Sequence, residues 1–393
     1  MKIIYVSSIT PASENIGGTS ALPYHLMLRR EADVEVVLYS FNCNGLSAEK
    51  IREVECELHV EIRIMPVPKM FRRLANGGAV GLAARTLMAY PMHYYLRLSS
   101  RYVEEIRSLR PDGVWVYGEE LVGISCQLYD MPQVQTGPDC EALYYHRLLQ
   151  RGWLGSEKKL RCMVMQRKYK RLAANASDCA VHHVVGEEDR NYFRSLNPKA
   201  DVTFMRHPHY DYCENRIISF SEPKIRLLLA GRNDLYMQGC AKQLIDALAS
   251  SNLADRFSFT FLGKGWEKET EEMLKTGWQC RHLAFVEDYG KELARYDVQL
   301  VPISIGTGTK GKVLDAFANG LLVIGTWFAL ENIAVRPGED CLQYESADEV
   351  VAMLGDIAGN RKKYEDMAEK GRAAVLKYHD RATASKQLFG RFR

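Results

Sequence analysis

Residues 298–326 read VQLVPISIGTGTKGKVLDAFANGLLVIGT. Val298 to Ile303 is an apolar run that predicts a buried strand. Glycines at 306, 308 and 311 follow it, then a helix-like segment carrying Lys310, Lys312 and Asp315, then a second apolar run from Leu321. The order is strand, glycine loop, helix, strand. Glycines let backbone N–H groups come close to a phosphate, and the start of the helix adds partial positive charge. The stretch therefore predicts an α/β lobe that holds an anionic ligand, a nucleotide, late in the chain.

Gly306, Gly311 and Lys312 nearly fit the P-loop spacing G-x-x-x-x-G-K-[ST], but Val313 stands where a magnesium-binding hydroxyl is needed. A dinucleotide fingerprint is also missing, because the first loop, SSITPASENIGGTS, lacks G-x-G-x-x-G spacing. Working outward, KIIYVSS (2–8) and KIRLLLAGR (224–232) each enter a loop and a helix-like run. Each is followed by a returning apolar strand, VEVVLYS (34–40) and FSFTFLG (257–263). Two βαβ starts predict two doubly wound α/β lobes. Further strands are expected at 113–118, 131–137 and 179–185, and at 282–286 and 321–326. The lobe boundary is placed between Arg206 and Pro223, where Pro, Tyr and charge mix without periodicity.

The 298–326 stretch resembles the donor-nucleotide signature of GT-B glycosyltransferases, in particular glycosyltransferase family 4 (group 1). The matching residues are Val301-Pro302, the turn Gly306 to Gly308, Asp315-Ala316-Phe317-Ala318-Asn319-Gly320 and Val323-Ile324-Gly325-Thr326. The resemblance implies two Rossmann-like lobes with a cleft between them and a final helix that crosses back. It places an acceptor-side lobe at 1–208, a donor lobe at 209–375 and the returning tail at 376–393. It also implies transfer of a sugar from a nucleotide-diphosphate donor to a hydroxyl acceptor, a glycan or lipid-linked glycan. Retention at the anomeric carbon comes with it. Alternatives on the same scaffold are a nucleotide-sugar epimerase, an inverting GT-B transferase, or a transferase-like subunit without chemistry.

Transfer builds negative charge on the departing diphosphate, which the protein must meet with N–H groups and cations. Gly306, Thr307, Gly308 and Thr309 are the candidate diphosphate loop, with Lys310 rather than Lys312 as the facing cation. Asp315 stands at the acidic position that the resemblance assigns to the ribose hydroxyls, and a carboxylate offers several acceptor lone pairs. Arg232, after the strand LLLAG, is the candidate phosphate cation. Two positions depart from the pattern: Thr307 stands where an acid contacts the donor sugar, and Gln238 where a lysine completes the phosphate clamp. On the acceptor side the candidates are Gly17 and Gly18 in the first loop, Glu119 with Glu120 after 113–118, and Asp139 after 131–137. Asp139 is the candidate to orient or deprotonate an acceptor hydroxyl, or else it caps the helix from Glu141.

The formal charge of +3 over 393 residues argues against a nucleic-acid partner. Ten scattered cysteines without a C-x-x-C pair predict reduced thiols and a cytoplasmic setting. The histidines 182, 183, 207 and 209 have no partners at metal-site spacing, and there is no D-x-D motif, so neither a metal nor a cofactor is expected beyond the nucleotide-sugar co-substrate. Neither a signal core nor a membrane span is visible. Two segments are strongly basic: 63–101 carries seven Lys or Arg and no acid, and 147–171 carries nine against Glu157. They are either solvated faces or contacts to an anionic membrane surface on its inner side.

Overall fold

The computed structural model describes residues 1–16, 18–151, 154–210 and 212–393. It divides into two units, Met1–His207 with Arg381–Arg393, and Pro208–Asp380.

The first unit is a parallel sheet of seven strands: β1 (Lys2–Ser7), β2 (Glu35–Ser40), β3 (Glu61–Ile64), β4 (Gly113–Tyr117), β5 (Gln133–Thr136), β6 (Ala180–Val184) and β7 (Val202–Phe204). Their spatial order is β3-β2-β1-β4-β5-β6-β7. Both faces are covered, which is why β1 and β4 are apolar almost throughout. Ile3 and Tyr5 of β1 enter one core with Trp115, while Ile4 and Val6 enter the opposite core with Val114 and Val116.

Helices that matter below are α1 (Ala21–Leu28), α2 (Lys69–Asn76), α3 (Gly78–Leu87), α4 (Glu141–Leu149) and α5 (Ser156–Ala174) in this unit. In the second unit they are α6 (Cys240–Ala249) and α7 (Gly311–Ala318). The chain then re-enters the first unit as α8 (Arg381–Phe389). Helix α8 lies along α1, with the Ser385 hydroxyl donating to the Leu26 carbonyl at 2.8 Å. Phe389 meets Trp115 edge-on at 5.9 Å.

The second unit is a parallel sheet of six strands: β8 (Ile225–Ala230), β9 (Phe257–Leu262), β10 (Gln279–Leu283), β11 (Val298–Val301), β12 (Leu322–Gly325) and β13 (Leu342–Gln343). The order is β10-β9-β8-β11-β12-β13. Each unit is thus a doubly wound, Rossmann-like sheet. Strand order reverses between β1 and β4 in the first and between β8 and β11 in the second. Loops leaving the carboxyl ends of such strand pairs diverge and open a crevice.

Three sheet-edge details differ from the sequence expectation. The strand expected at 282–286 lies earlier, at Gln279–Leu283, pairing Cys280 with Phe259. It is an edge strand, so its outer face tolerates Gln279 and Arg281, and the apolar HLAFV run runs past its end. Strands β3 and β7 carry no predicted signal because they are short and sit at or beside the edges, with Glu61 and Arg63 within EIRI.

Candidate functional site

In the second unit both loops at the switch point carry candidates. After β8, Gly231 has φ +144°, and a Cβ there would sit 2.3 Å from Met237 Cε. The neighbouring Gly263 approaches so closely that its Cβ would lie 2.2 Å from the Gly231 carbonyl oxygen. That carbonyl accepts from Trp266 Nε1 at 2.7 Å. The backbone is therefore fixed immediately before Arg232. Arg232 itself is exposed, and its side chain makes no hydrogen bond or ion pair among the described residues. Gln238 is also exposed, just before α6, with its N–H donating to the Asp234 carbonyl at 2.8 Å.

After β11 the chain forms the glycine turn. Ser304 N–H donates to the Tyr236 carbonyl at 2.8 Å, tying this loop to the one that follows Arg232. Gly308 has φ +61°, where a Cβ is strained, and Gly306 faces Lys310, whose Cε would lie 3.0 Å from an added Cβ. The Lys310 ammonium folds back into the turn, donating to the Thr307 carbonyl at 2.8 Å and the Gly308 carbonyl at 3.2 Å. It lies 3.8 Å from the buried Glu331 carboxylate. Asn332, at φ +66°, donates its amide to the same Gly308 carbonyl at 2.7 Å. Thr307 and Thr309 are half-buried on this turn. Lys312 is exposed, with its ammonium 4.6 Å from the Tyr289 ring centre and within reach of the Asp315 charge. Asp315, within α7, is buried and accepts from the Tyr210 backbone N–H at 3.2 Å.

Sequence reading missed Glu331 and Asn332. They follow Thr326 in chain order, but nothing in their local pattern announces a return to the glycine turn. Asn332 at positive φ is the only hint, since Asn tolerates that region better than most residues.

In the first unit, Glu119 and Asp139 come together. They line a cleft of about 190 Å³ with Ser8, Thr19, His93, Glu120, Glu141 and Tyr169. Gly18, at φ +147°, is exposed next to Thr19, and Gly17 lies outside the described residues. Asp139 does not cap α4: that place is held by Cys140, whose N–H donates to Asp189 at 2.8 Å.

The cleft concentrates carboxyl groups. Burial pushes the Glu119 carboxyl well up, helped by the charges of Glu141 and Glu120. Its Oε1 has no hydrogen-bond partner among the described residues. Burial, with Glu120 and Asp189 nearby, pushes Glu141 up to about 7. Glu120 behaves oppositely. Burial acts to raise it, but the His93 ring, with Nδ1 at 2.8 Å, holds it below the usual carboxylate range, and the Tyr169 hydroxyl also donates to it. For His93 burial opposes charge, yet hydrogen bonds to Cys43 and Glu120 raise it to about 10. The cleft thus joins the Glu120–His93 ion pair to two carboxyls, Glu119 and Glu141, whose protonated forms burial favours. His93 and Tyr169 had no sequence signal, because they arrive from distant segments.

The paired histidines are structural. His182 bonds the Ser177 carbonyl at 2.9 Å, and His183 Nδ1 meets Thr136 Oγ1 at 3.0 Å. Among the described residues no group of three His, Cys, Asp or Glu side chains is placed to hold a metal ion.

Residues 237–390 match a family model described as glycosyl transferase-like. No curated protein matches the chain. Among solved structures, HepE of Anabaena in complex with UDP aligns over 99% of both chains at 13% identity, with a TM-score of 0.66. Sucrose-phosphate synthase of Thermosynechococcus elongatus aligns over 99% of this chain and 98% of its own, at 13% identity and a TM-score of 0.64. WaaG, a glycosyltransferase involved in lipopolysaccharide biosynthesis, aligns over 98% and 100% at 14% identity, also with a TM-score of 0.64. At such identities the likeness shows the fold, and that fold is GT-B. The comparisons therefore show a GT-B fold over the chain and a glycosyl transferase-like domain over residues 237–390.

Proposed function

We propose that the chain transfers a sugar from a nucleotide-diphosphate sugar to a hydroxyl of a glycan or lipid-linked glycan. The observation that carries this reading is the pair of loops at the β8–β11 switch point: an exposed Arg232 on one and a braced glycine turn on the other. Both belong to the part of a doubly wound sheet where ligands bind. HepE has been seen with UDP and with UDP-glucose, which supports a uridine diphosphate sugar as the first donor to try.

In this reading the turn from Gly306 to Thr309 approaches the diphosphate with its backbone, and Arg232 meets the charge that grows on the leaving group. Asp315 serves the ribose, and Gln238 stands in the place of a second cation. In the first unit Asp139 and Glu119 orient the acceptor hydroxyl. Retention follows from same-face attack, with the leaving phosphate taking the acceptor proton, and the lack of a D-x-D motif supports transfer without a metal. The basic segments support work at the inner, anionic face of a membrane, in assembly of a surface polysaccharide. Among the described residues no helix is long and apolar enough to cross a membrane.

The test is release of UDP from UDP-glucose by the purified protein, with and without acceptor glycans. We expect turnover that R232A lowers by about 10²-fold, the scale of removing one charge-stabilising donor. Tight UDP binding with no turnover under any acceptor would make the chain a non-catalytic subunit instead. Release of inorganic phosphate from a nucleoside triphosphate would replace the reading altogether.

A further inference from the structure

The two basic segments, far apart in sequence, meet in the first unit. Helices α2 and α3 form a tight hairpin: a Cβ on Gly77 would sit 2.6 Å from the Arg73 carbonyl oxygen, and one on Gly81 would sit 2.7 Å from that of Leu74. Inside the hairpin only Phe71 and Gly81 are buried, and Phe71 packs against His93 with ring centres 5.2 Å apart. At the far end of α3 the Lys168 ammonium of α5 donates to the Arg85 carbonyl. Arg171 lies over the Tyr90 ring at 5.9 Å and donates to the Ala89 carbonyl at 3.4 Å. Residues 85–90 and 168–171 therefore meet on one surface of the first unit.

That surface is apolar and basic at once. The hairpin exposes Met70 (74%), Val80 (81%), Leu82 (49%) and Leu87 (87%), and α5 exposes Leu160 and Met163. Lys69, Arg72, Arg73, Lys158, Lys159, Arg161 and Arg167 are exposed among them, and Glu157 is the one acid of the two basic segments. Holding large apolar side chains in water is unfavourable, and a folded element that does so marks an interaction surface. Long basic side chains between apolar ones suit a headgroup layer, where the stems lie in the acyl boundary and the charges reach phosphate. An anionic bilayer supplies both halves of that match, and Glu157 is the single acid set against these cations.

We propose that the α2–α3 hairpin, flanked by α5, is the element that docks this protein onto an anionic phospholipid bilayer, with Val80 and Leu87 entering the acyl boundary. The proposal deepens the reading of a membrane-side transferase by naming the element that makes the contact. It also confines the contact to the first unit.

The test is sedimentation with vesicles of phosphatidylcholine alone or mixed with phosphatidylglycerol. The protein should bind the mixed vesicles, bind neutral ones poorly, and release as salt is raised. V80S/L87S should weaken binding by about tenfold or more, as expected for losing two buried aliphatic side chains. R72E/R73E should abolish the preference for anionic lipid. Both pairs lie on the surface, so circular dichroism and Tm should match the unsubstituted protein. UDP-glucose hydrolysis without vesicles should be unaffected by V80S/L87S. If hydrolysis is absent but vesicle binding and its loss in V80S/L87S persist, the transferase reading falls and the docking element stands. Equal binding to neutral and anionic vesicles overturns the proposal, as does unchanged binding by both variants. A salt-sensitive self-association that V80S/L87S removes, without vesicle binding, overturns it too and assigns the surface to a second copy.

Discussion

Arg232 owes its exposure to the residues before it. The Gly231–Gly263 approach and the Trp266 hydrogen bond pin the strand end, so the guanidinium projects from a rigid base. R232K keeps the charge but loses the planar fork, and we expect it to recover only part of the activity lost in R232A, read as kcat/KM for the donor. Lys310 is placed differently. Its ammonium is committed to the turn carbonyls and lies beside Glu331, so its first effect is on the shape of the turn. We expect K310M to lower Tm, through a loss of about 1.5–3 kcal/mol of charged hydrogen bonding, as well as to raise the donor KM. A raised KM with unchanged Tm would make Lys310 a direct phosphate contact only. N332G, which keeps the positive φ but loses the amide, should loosen the turn less than N332D. The aspartate would set a carboxylate against the Gly308 carbonyl and leave it without that donor. The candidates read from the sequence, Arg232, Gly308 and Asp139, stand next to a strand end or a glycine, where local pattern carries the information. Glu331, Asn332, His93 and Tyr169 reach their places through tertiary packing, which no local spacing encodes.

Among the elements, buried strands announced themselves and edge strands did not. β1, β4, β8 and β11 are apolar on both faces because helices cover both, and each was visible as a continuous run. β3 and β10 keep a face or an edge in water and carry charge accordingly, while β7 is an edge strand of only three residues. The first turn of α4 shows a similar competition. A carboxylate there should be favoured by the helix dipole, yet burial and neighbouring carboxyls raise Glu141 to about 7. The sign follows directly. In the fold Glu141 keeps its proton to higher pH than the unfolded carboxyl, whose value is 4.5. Its contribution to stability is therefore present below about 4.5 and is lost as pH rises through about 7. We expect Tm to fall across that window, and E141Q to flatten the fall; a steeper fall in E141Q would assign the dependence to other groups, Glu119 first.

At the scale of the molecule, the two-lobed plan was readable because two βαβ starts occur far apart and each needs its own sheet. The path of the last helix was not written in any periodicity and came only from the resemblance. In the structure α8 completes the core of the first unit, where Leu388 and Phe389 are buried with Trp115. F389A should cost about 3–5 kcal/mol, and calorimetry should show the loss in a transition of the first unit while UDP-dependent stabilisation of the second persists. This threading has a consequence during synthesis. Every residue from Pro208 to Asp380 leaves the ribosome before α8 does, so the second unit can finish folding while the first still lacks a wall. Nascent first units wait with Trp115 uncovered, and a chain stalled or clipped before Arg381 would present that bare patch to chaperones and proteases.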